Sequence, residues 1–272
     1  IHPDNIKQIF EIACDPKHKT GFDRNFWIWE EYDPGHSYLL VADVARGDGQ
    51  DFSVFHIIKI ETMEVVAEYQ GKLAPDMFAN VLNEVGKEYG SCMLVVENNS
   101  IGHTVLTKLS DMNYPNIYHS IKSTHEYIDQ YQAESMNSAV AGFTNSSKTR
   151  PLIVAKLEEF IRNKLITIYS PRLANELKTF IWHNGKPQAL RGYNDDLVMA
   201  LAIGCWIRDT ALQVNQRNVE YQRAFLGSMI YTNTSFETTI SGMEGHNHKN
   251  ALQDKAKKQH KQYDEFLWLL KG

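Results

Sequence analysis

Three carboxylate positions in this chain have the placement that chemistry would need. Asp43 ends the apolar run Tyr38-Leu39-Leu40-Val41-Ala42, and Glu97 ends the run Cys92-Met93-Leu94-Val95-Val96. Asp195 and Asp196 stand just before a third run, Leu197 to Ile203. An acid at the end of a buried strand is held rigidly at the rim of a sheet. Its charge is costly there unless something pairs with it, and a divalent cation is a common partner. Oxygen donors without His or Cys suit Mg²⁺, with Mn²⁺ as a substitute, rather than zinc. Two such ions about 4 Å apart can activate water and stabilise the leaving oxygen of an in-line phosphoryl displacement. Asp51, across a turn from Asp43, is a further ligand or an outer hydrogen-bond acceptor. Each acid also has a plain structural use. Asp43 can begin a turn with Gly47 and Gly49, Glu97 can reach water, and Asp195-Asp196 can cap a helix and complement its dipole. His103, His119 and His183 are scattered and read as hydrogen-bonded or exposed side chains.

The elements that must position these acids follow from the apolar pattern. Tyr38–Ala42, Phe52–Lys59 and Glu64–Tyr69 read as three consecutive strands of an antiparallel meander. Ala74-Pro75-Asp76 opens a helix that Phe78, Val81, Leu82, Val85 and Tyr89 continue at helical spacing, and Gly90 ends it. Cys92–Val96 is a fourth strand, Asn98-Asn99-Ser100 a turn and cap, 101–112 a second helix and 116–119 a fifth strand. Helices are expected from Thr149-Arg150-Pro151 onward and over 173–180, with a short strand at 166–169 and a hairpin arm at 185–190. The run from Leu197 to Ile203 is apolar nearly all round and therefore a buried helix. If the first and fourth strands are parallel neighbours, Asp43 and Glu97 emerge at one rim. The segment over 120–147 is polar and resists assignment.

Bulk properties narrow the class. Of the 272 residues, 43% are hydrophobic, enough for a substantial core. The mean hydropathy of −0.41 fits a soluble chain, with no apolar run of membrane-spanning length and no signal peptide. Cys14, Cys92 and Cys205 show no paired spacing, which argues against a zinc knuckle or disulfide framework and fits a reducing compartment. The net charge of −5 argues against nucleic-acid binding over the whole surface, yet between Gly142 and Arg191 there are nine bases and three acids. A basic stripe beside an acidic cluster suits a metal-dependent enzyme acting on a phosphodiester, and equally describes solvated helix faces. The chain begins at Ile1, so it is expected to be a piece of a longer protein. Three regions are expected: a connector over 1–36, packed by Phe22, Phe26, Trp27 and Trp29; a catalytic domain over 37–212; and a polar tail over 213–272 ending in the apolar Phe266–Leu270.

Acids on the first and fourth strands and the last helix, in this order of elements, make the chain resemble the ribonuclease H-like superfamily. Within it, the chain is similar to the nuclease domain of large terminase subunits of tailed bacteriophages. The residues that carry the likeness are Tyr38–Asp43 with Gly47, Asp51–Val54, Val95–Asn99, Lys148–Arg150 and Gly192–Ala200, and it spans about 36–212. The resemblance implies an α/β fold, a three-stranded antiparallel meander continued by parallel strands and flanked by helices. It implies an Mg²⁺-dependent endonuclease that cuts concatemeric double-stranded DNA. By the family pattern Asp43, Glu97 and Asp196 are metal ligands holding two ions, with Asp195 as an auxiliary or the true third ligand. Lys148 and Arg150 contact the DNA backbone. An ATPase motor domain of the same full-length chain is the implied partner, with the capsid portal and small terminase subunit. The implied setting is the host cell cytoplasm and, transiently, the viral prohead. The chain has no Walker-type Gly-Lys-Ser or Gly-Lys-Thr, since Gly71-Lys72 and Gly185-Lys186 run into Leu and Pro. Asn194 stands where some relatives have a histidine. Rival readings are a resolvase or exonuclease on the same fold, or a non-catalytic DNA-gripping or docking module with the tail binding a capsid partner.

Overall fold

A computed structural model describes residues 1–49, 51–121, 127–128, 139–209, 211 and 220. Apart from Glu220, the expected tail over 213–272 with its Phe266–Leu270 end lies outside the described residues, as does the Phe22 side chain. The chain divides into two units, Ile1–Arg217 and Asn218–Gly272, and every element below belongs to the first.

The meander forms where the alternating and apolar runs place it. Strands β3 (Tyr38–Asp43), β4 (Ser53–Lys59) and β5 (Glu64–Gly71) pair antiparallel in sequence order. Strand β6 (Met93–Val96) then joins β3 in parallel, with Leu39 opposite Met93 and Ala42 opposite Val96. The crossover between them is the helix α2 (Pro75–Glu88), entered through Pro75 and Asp76. The next helix, α3 (Ser100–Asp111), is capped by Asn99, whose side chain accepts from the backbone of Ile101 and Gly102 at 3.2 and 2.9 Å.

Segment 1–36, expected as a connector, contributes helix α1 (Pro3–Ile12) and two short strands at one side of the sheet, β1 (His18–Thr20) and β2 (Phe26–Ile28). The sheet therefore has six strands in the order β1-β2-β5-β4-β3-β6. Phe26 and Trp29 are buried, as expected, whereas Trp27 is half-buried between Arg172 and Lys19. Beyond β6, the predicted strand at 116–119 is a single parallel bridge at Ile117, and β7 (His119–Ile121) starts a separate small sheet with β8 (Tyr127–Ile128) and β9 (Ala139–Ala141). The predicted strand at 166–169 is likewise one bridge, Thr167 to Glu64.

Helices cover both faces, which is why Tyr38–Ala42 of β3 and all of β6 are continuous apolar runs. On one face Tyr38, Leu40, Ala42, Leu94 and Val96 pack under α2 and α3. On the other face Leu39, Val41, Met93 and Val95 meet α1, α4 (Thr149–Arg162), α5 (Pro171–Thr179) and a last helix, α6, over 196–209. The residues Leu197 to Ile203 of α6 are all 1% exposed or less. Gly204 lets this helix lie on the sheet, because a Cβ there would stand 2.7 Å from Ile58 Cδ1. Strands β10 (Phe180–His183) and β11 (Lys186–Ala189) form a hairpin between α5 and α6. No helix among the described residues is long and apolar enough to cross a membrane.

Candidate active site

Period-two geometry decides where the first two acids point. Leu39, Val41 and Asp43 alternate onto one face of β3, and Met93, Val95 and Glu97 onto the same face of the parallel neighbour. That face is the one α6 covers. A shift of one residue in either strand would have turned its acid toward α2 and α3. The rim is held by backbone: Glu97 N donates to Ala42 O at 3.0 Å, and Asn98 N to Phe143 O at 2.9 Å. Helix α3 seats directly on this strand end, since a Cβ on Gly102 would lie 1.8 Å from Glu97 O.

Asp43, Glu97, Asp51, Asp195 and Asp196 line one cleft of about 360 Å³, so the five acids singled out from sequence share one site. At about 30 Å³ per liquid water, this is room for roughly a dozen waters. Asp196 Oδ2 accepts from Phe52 N at 2.9 Å, tying α6 to the start of β4. Asp195 Oδ2 is engaged by the Arg150 guanidinium and by Ala189 N at 3.3 Å, while Arg150 Nε donates to Pro187 O at 3.0 Å. Arg150 thus stands in the cleft as the counter-ion of Asp195. Lys148 is exposed at the N-terminus of α4 and does not line the cleft.

The electrostatics show a site short of positive charge. Burial, then the negative charges of Glu97 and Asp196, hold the Asp43 carboxyl well above the usual carboxylate range. A hydrogen bond joins Asp43 and Glu97, and it raises the first and lowers the second. Burial raises Glu97, opposed by hydrogen bonds from Asn145 and Asp43 and by the Arg150 charge. Asp196 is pushed up to about 6, chiefly by burial, with Asp51, Asp195 and Glu97 adding repulsion against the lowering Phe52 N–H. Among the described residues, no three His, Cys, Asp or Glu side chains are drawn together into a ready-made metal-ligand group.

All the donors are carboxylate oxygens, the hard set that suits a divalent cation of the magnesium or manganese kind. Asp43 and Asp196 are raised first by burial and next by the negative charges beside them, and a divalent cation would offset both. The residues present therefore fit a divalent ion.

Sequence reasoning passed over Asn145 and Glu176. Asn145 lies in the polar stretch that carries no periodic signal. Glu176 carried a signal: it lies three residues from Leu173 and next to Leu177, both buried, so it borders the apolar face of α5.

No family model matches the chain. Among solved structures, it is similar to the large terminase nuclease from thermophilic phage G20c with bound magnesium. The TM-score is 0.55 at 16% identity, over 74% of this chain and 95% of that one. It is also similar to the large terminase nuclease domain of Thermus phage P74-26, with a TM-score of 0.52 at 17% identity, over 73% of this chain and 92% of that one. A sheet that continues an antiparallel meander with a parallel strand, flanked by helices on both faces, gives this chain the ribonuclease H-like fold seen in large terminase nuclease domains.

Proposed function

We propose that this chain is the nuclease domain of a large terminase subunit, a metal-dependent endonuclease that hydrolyses the backbone of double-stranded DNA. The observation that carries this reading is the arrival of Asp43, Glu97 and Asp196 at one cleft from β3, the end of β6 and the start of α6. The G20c nuclease has been solved with magnesium, with cobalt and with zinc. In this chain Mg²⁺, or Mn²⁺ in its place, would be held by Asp43, Glu97 and Asp196, with two ions served by the set. When bound, the ions supply an activated water and charge neutralisation at the phosphate.

The chain's own residues do the rest. The Phe52 N–H orients Asp196, and the Asn145 side chain orients Glu97. Asp196 is the third ligand and Asp195 an auxiliary, because Asp195 Oδ2 is occupied by Arg150 and Ala189 N. Asp51, exposed at the cleft mouth, is an outer acceptor. Exposed Lys148 contacts DNA phosphates, which gives affinity without sequence preference. Arg150 meets the backbone only where it can do so while holding Asp195.

In this reading residues 37–212 are the nuclease, 1–36 complete its sheet, and the polar extension over 213–272 binds a partner. The substrate is concatemeric viral DNA. The ATPase motor of the same full-length chain, the portal and the small subunit are its partners, in the host cytoplasm and at the prohead.

Closed circular plasmid incubated with the protein and Mg²⁺ or Mn²⁺ tests the reading. Nicked and linear products that vanish with EDTA and with Asp43→Asn are expected. An untouched circle beside degraded linear DNA would make the protein an exonuclease. Retention of DNA with no cutting at any Mg²⁺ or Mn²⁺ concentration would make it a docking module.

A further inference from the structure

The first turn of α6 is held in an unusual way. A helix starting at residue 196 exposes backbone N–H groups in its first turn, and the side chain just before it ordinarily accepts from them. Here that side chain is Asp195, and its Oδ2 is turned away to Arg150 and Ala189 N. The acceptor comes from another helix instead. Glu176 of α5 places Oε2 at 2.9 Å from Leu197 N and 3.3 Å from Val198 N, and its Oε1 accepts from Gln70 Nε2 of β5 at 3.0 Å.

The supports of Glu176 are themselves fixed. Ser170 Oγ accepts from Leu173 N at 3.2 Å, capping the helix that carries Glu176, and donates to the buried Glu68 Oε1 at 2.8 Å. Arg172 Nε donates to the same oxygen at 2.9 Å. On the sheet side His56 Nε2 lies 2.9 Å from Leu197 O. The turn bearing Asp196 is thus gripped at two amides by Glu176, at one carbonyl by His56, and at the Asp196 carboxylate by Phe52 N.

We infer that Glu176 is a positioning residue of the cleft: by capping α6 in place of Asp195, it leaves Asp195 to Arg150 and Ala189 and fixes where Asp196 stands. The inference rests on the metal-site reading for its effect on ions, and on hydrogen bonds alone for the cap. Glu176→Gln keeps an amide oxygen for Leu197 and Val198, and Gln70 can flip its own amide to meet the new NH₂. Glu176→Ala loses the acceptor outright. Gln70→Met frees Glu176 Oε1 and serves where the alanine variant does not fold.

Three readouts on the whole chain test it: amide exchange of the 196–203 segment, Mn²⁺ affinity by electron paramagnetic resonance, and plasmid cleavage. In Glu176→Ala, exchange at Leu197 and Val198 should quicken and Mn²⁺ affinity fall roughly tenfold, the lower end of what loss of a ligand-orienting partner costs. Gln70→Met should move both the same way by less, and Glu176→Gln should restore most of each. A purely structural glutamate would lower the melting temperature of the alanine variant but leave the Mn²⁺ affinity of its folded form unchanged. That result, or a glutamine variant as impaired as alanine, overturns the inference. If the wild-type chain neither binds Mn²⁺ nor cuts DNA, the nuclease reading and the effect on ions fail together. Exchange at Leu197 and Val198 then decides the cap by itself: protection unchanged in Glu176→Ala refutes it.

Discussion

Asp43→Asn should make the metal-free protein more stable and the metal-loaded protein no more stable than before. The side chain sits at the cleft floor beside Glu97 and Asp196, and their charges oppose its ionisation. Like charges about 5 Å apart at an effective dielectric of about 20 repel by roughly 3 kcal/mol. Asparagine keeps the shape and a hydrogen-bond donor toward Glu97 but loses part of the bond strength, so a net gain of about 2 kcal/mol is expected. For a domain of this size that corresponds to a melting temperature raised by about 4–8 °C. The sign with pH follows from the raised value of Asp43. Its contribution to stability is intact at low pH, where folded and unfolded chains both hold the proton, and is lost as pH rises toward the folded value. The advantage of the variant should therefore be small near pH 5 and grow toward pH 8. Saturating Mn²⁺ reverses the comparison, since an ion at about 100 times its dissociation constant stabilises the wild type by roughly 2.7 kcal/mol and the variant by much less. Thermal melts at pH 5 and pH 8, each in EDTA and in Mn²⁺, read all four states. A variant that melts at or below the wild type in EDTA at pH 8 would refute the repulsion argument. An undiminished Mn²⁺ shift in the variant would remove Asp43 from the metal site.

Two other perturbations probe the frame around the cleft. Gly102→Ala drives a methyl into Glu97 O, so the start of α3 or the end of β6 must move. A loss of about 1–3 kcal/mol by chemical denaturation, with weakened Mn²⁺ binding in the folded fraction, is expected; unchanged binding would mean that Glu97 is not placed by this contact. Glu176 is pushed up to about 8, chiefly by burial and next by the Asp196 charge. Its contribution is full below the ordinary glutamate value and is lost as pH rises through about 8. Unfolding free energies of the wild type from urea melts should fall between pH 5 and pH 8 more steeply than those of Glu176→Gln, by up to about 4 kcal/mol at 1.36 kcal/mol per unit; parallel slopes would contradict the burial of this carboxyl.

The strand-end acids were legible because their signal is local. A run such as Leu39 to Ala42 must be buried on both faces, and an acid that ends it can only stand at a rim. Alternation along the strand then sets its face, so Asp43 and Glu97 were readable once β3 and β6 were taken as parallel neighbours. Strands β1 and β2 were not legible, since three residues carry no measurable period and the pairing of β2 to β5 and of β1 to β2 is decided by the partner. The same holds for the single bridges at Ile117 and Thr167. Asp195 and Asp196 are identical in type and adjacent, and sequence reasoning allowed either to be a cap or a ligand. Tertiary structure separates them: Arg150 and Ala189 take Asp195, Phe52 takes Asp196, and the capping role falls to Glu176 from another helix. Hydrogen bonds between residues far apart in the chain leave no pattern in it. Local sequence thus determined which acids stand at the ends of buried elements. The packing of α5 and α6 on the sheet decided what each of them faces.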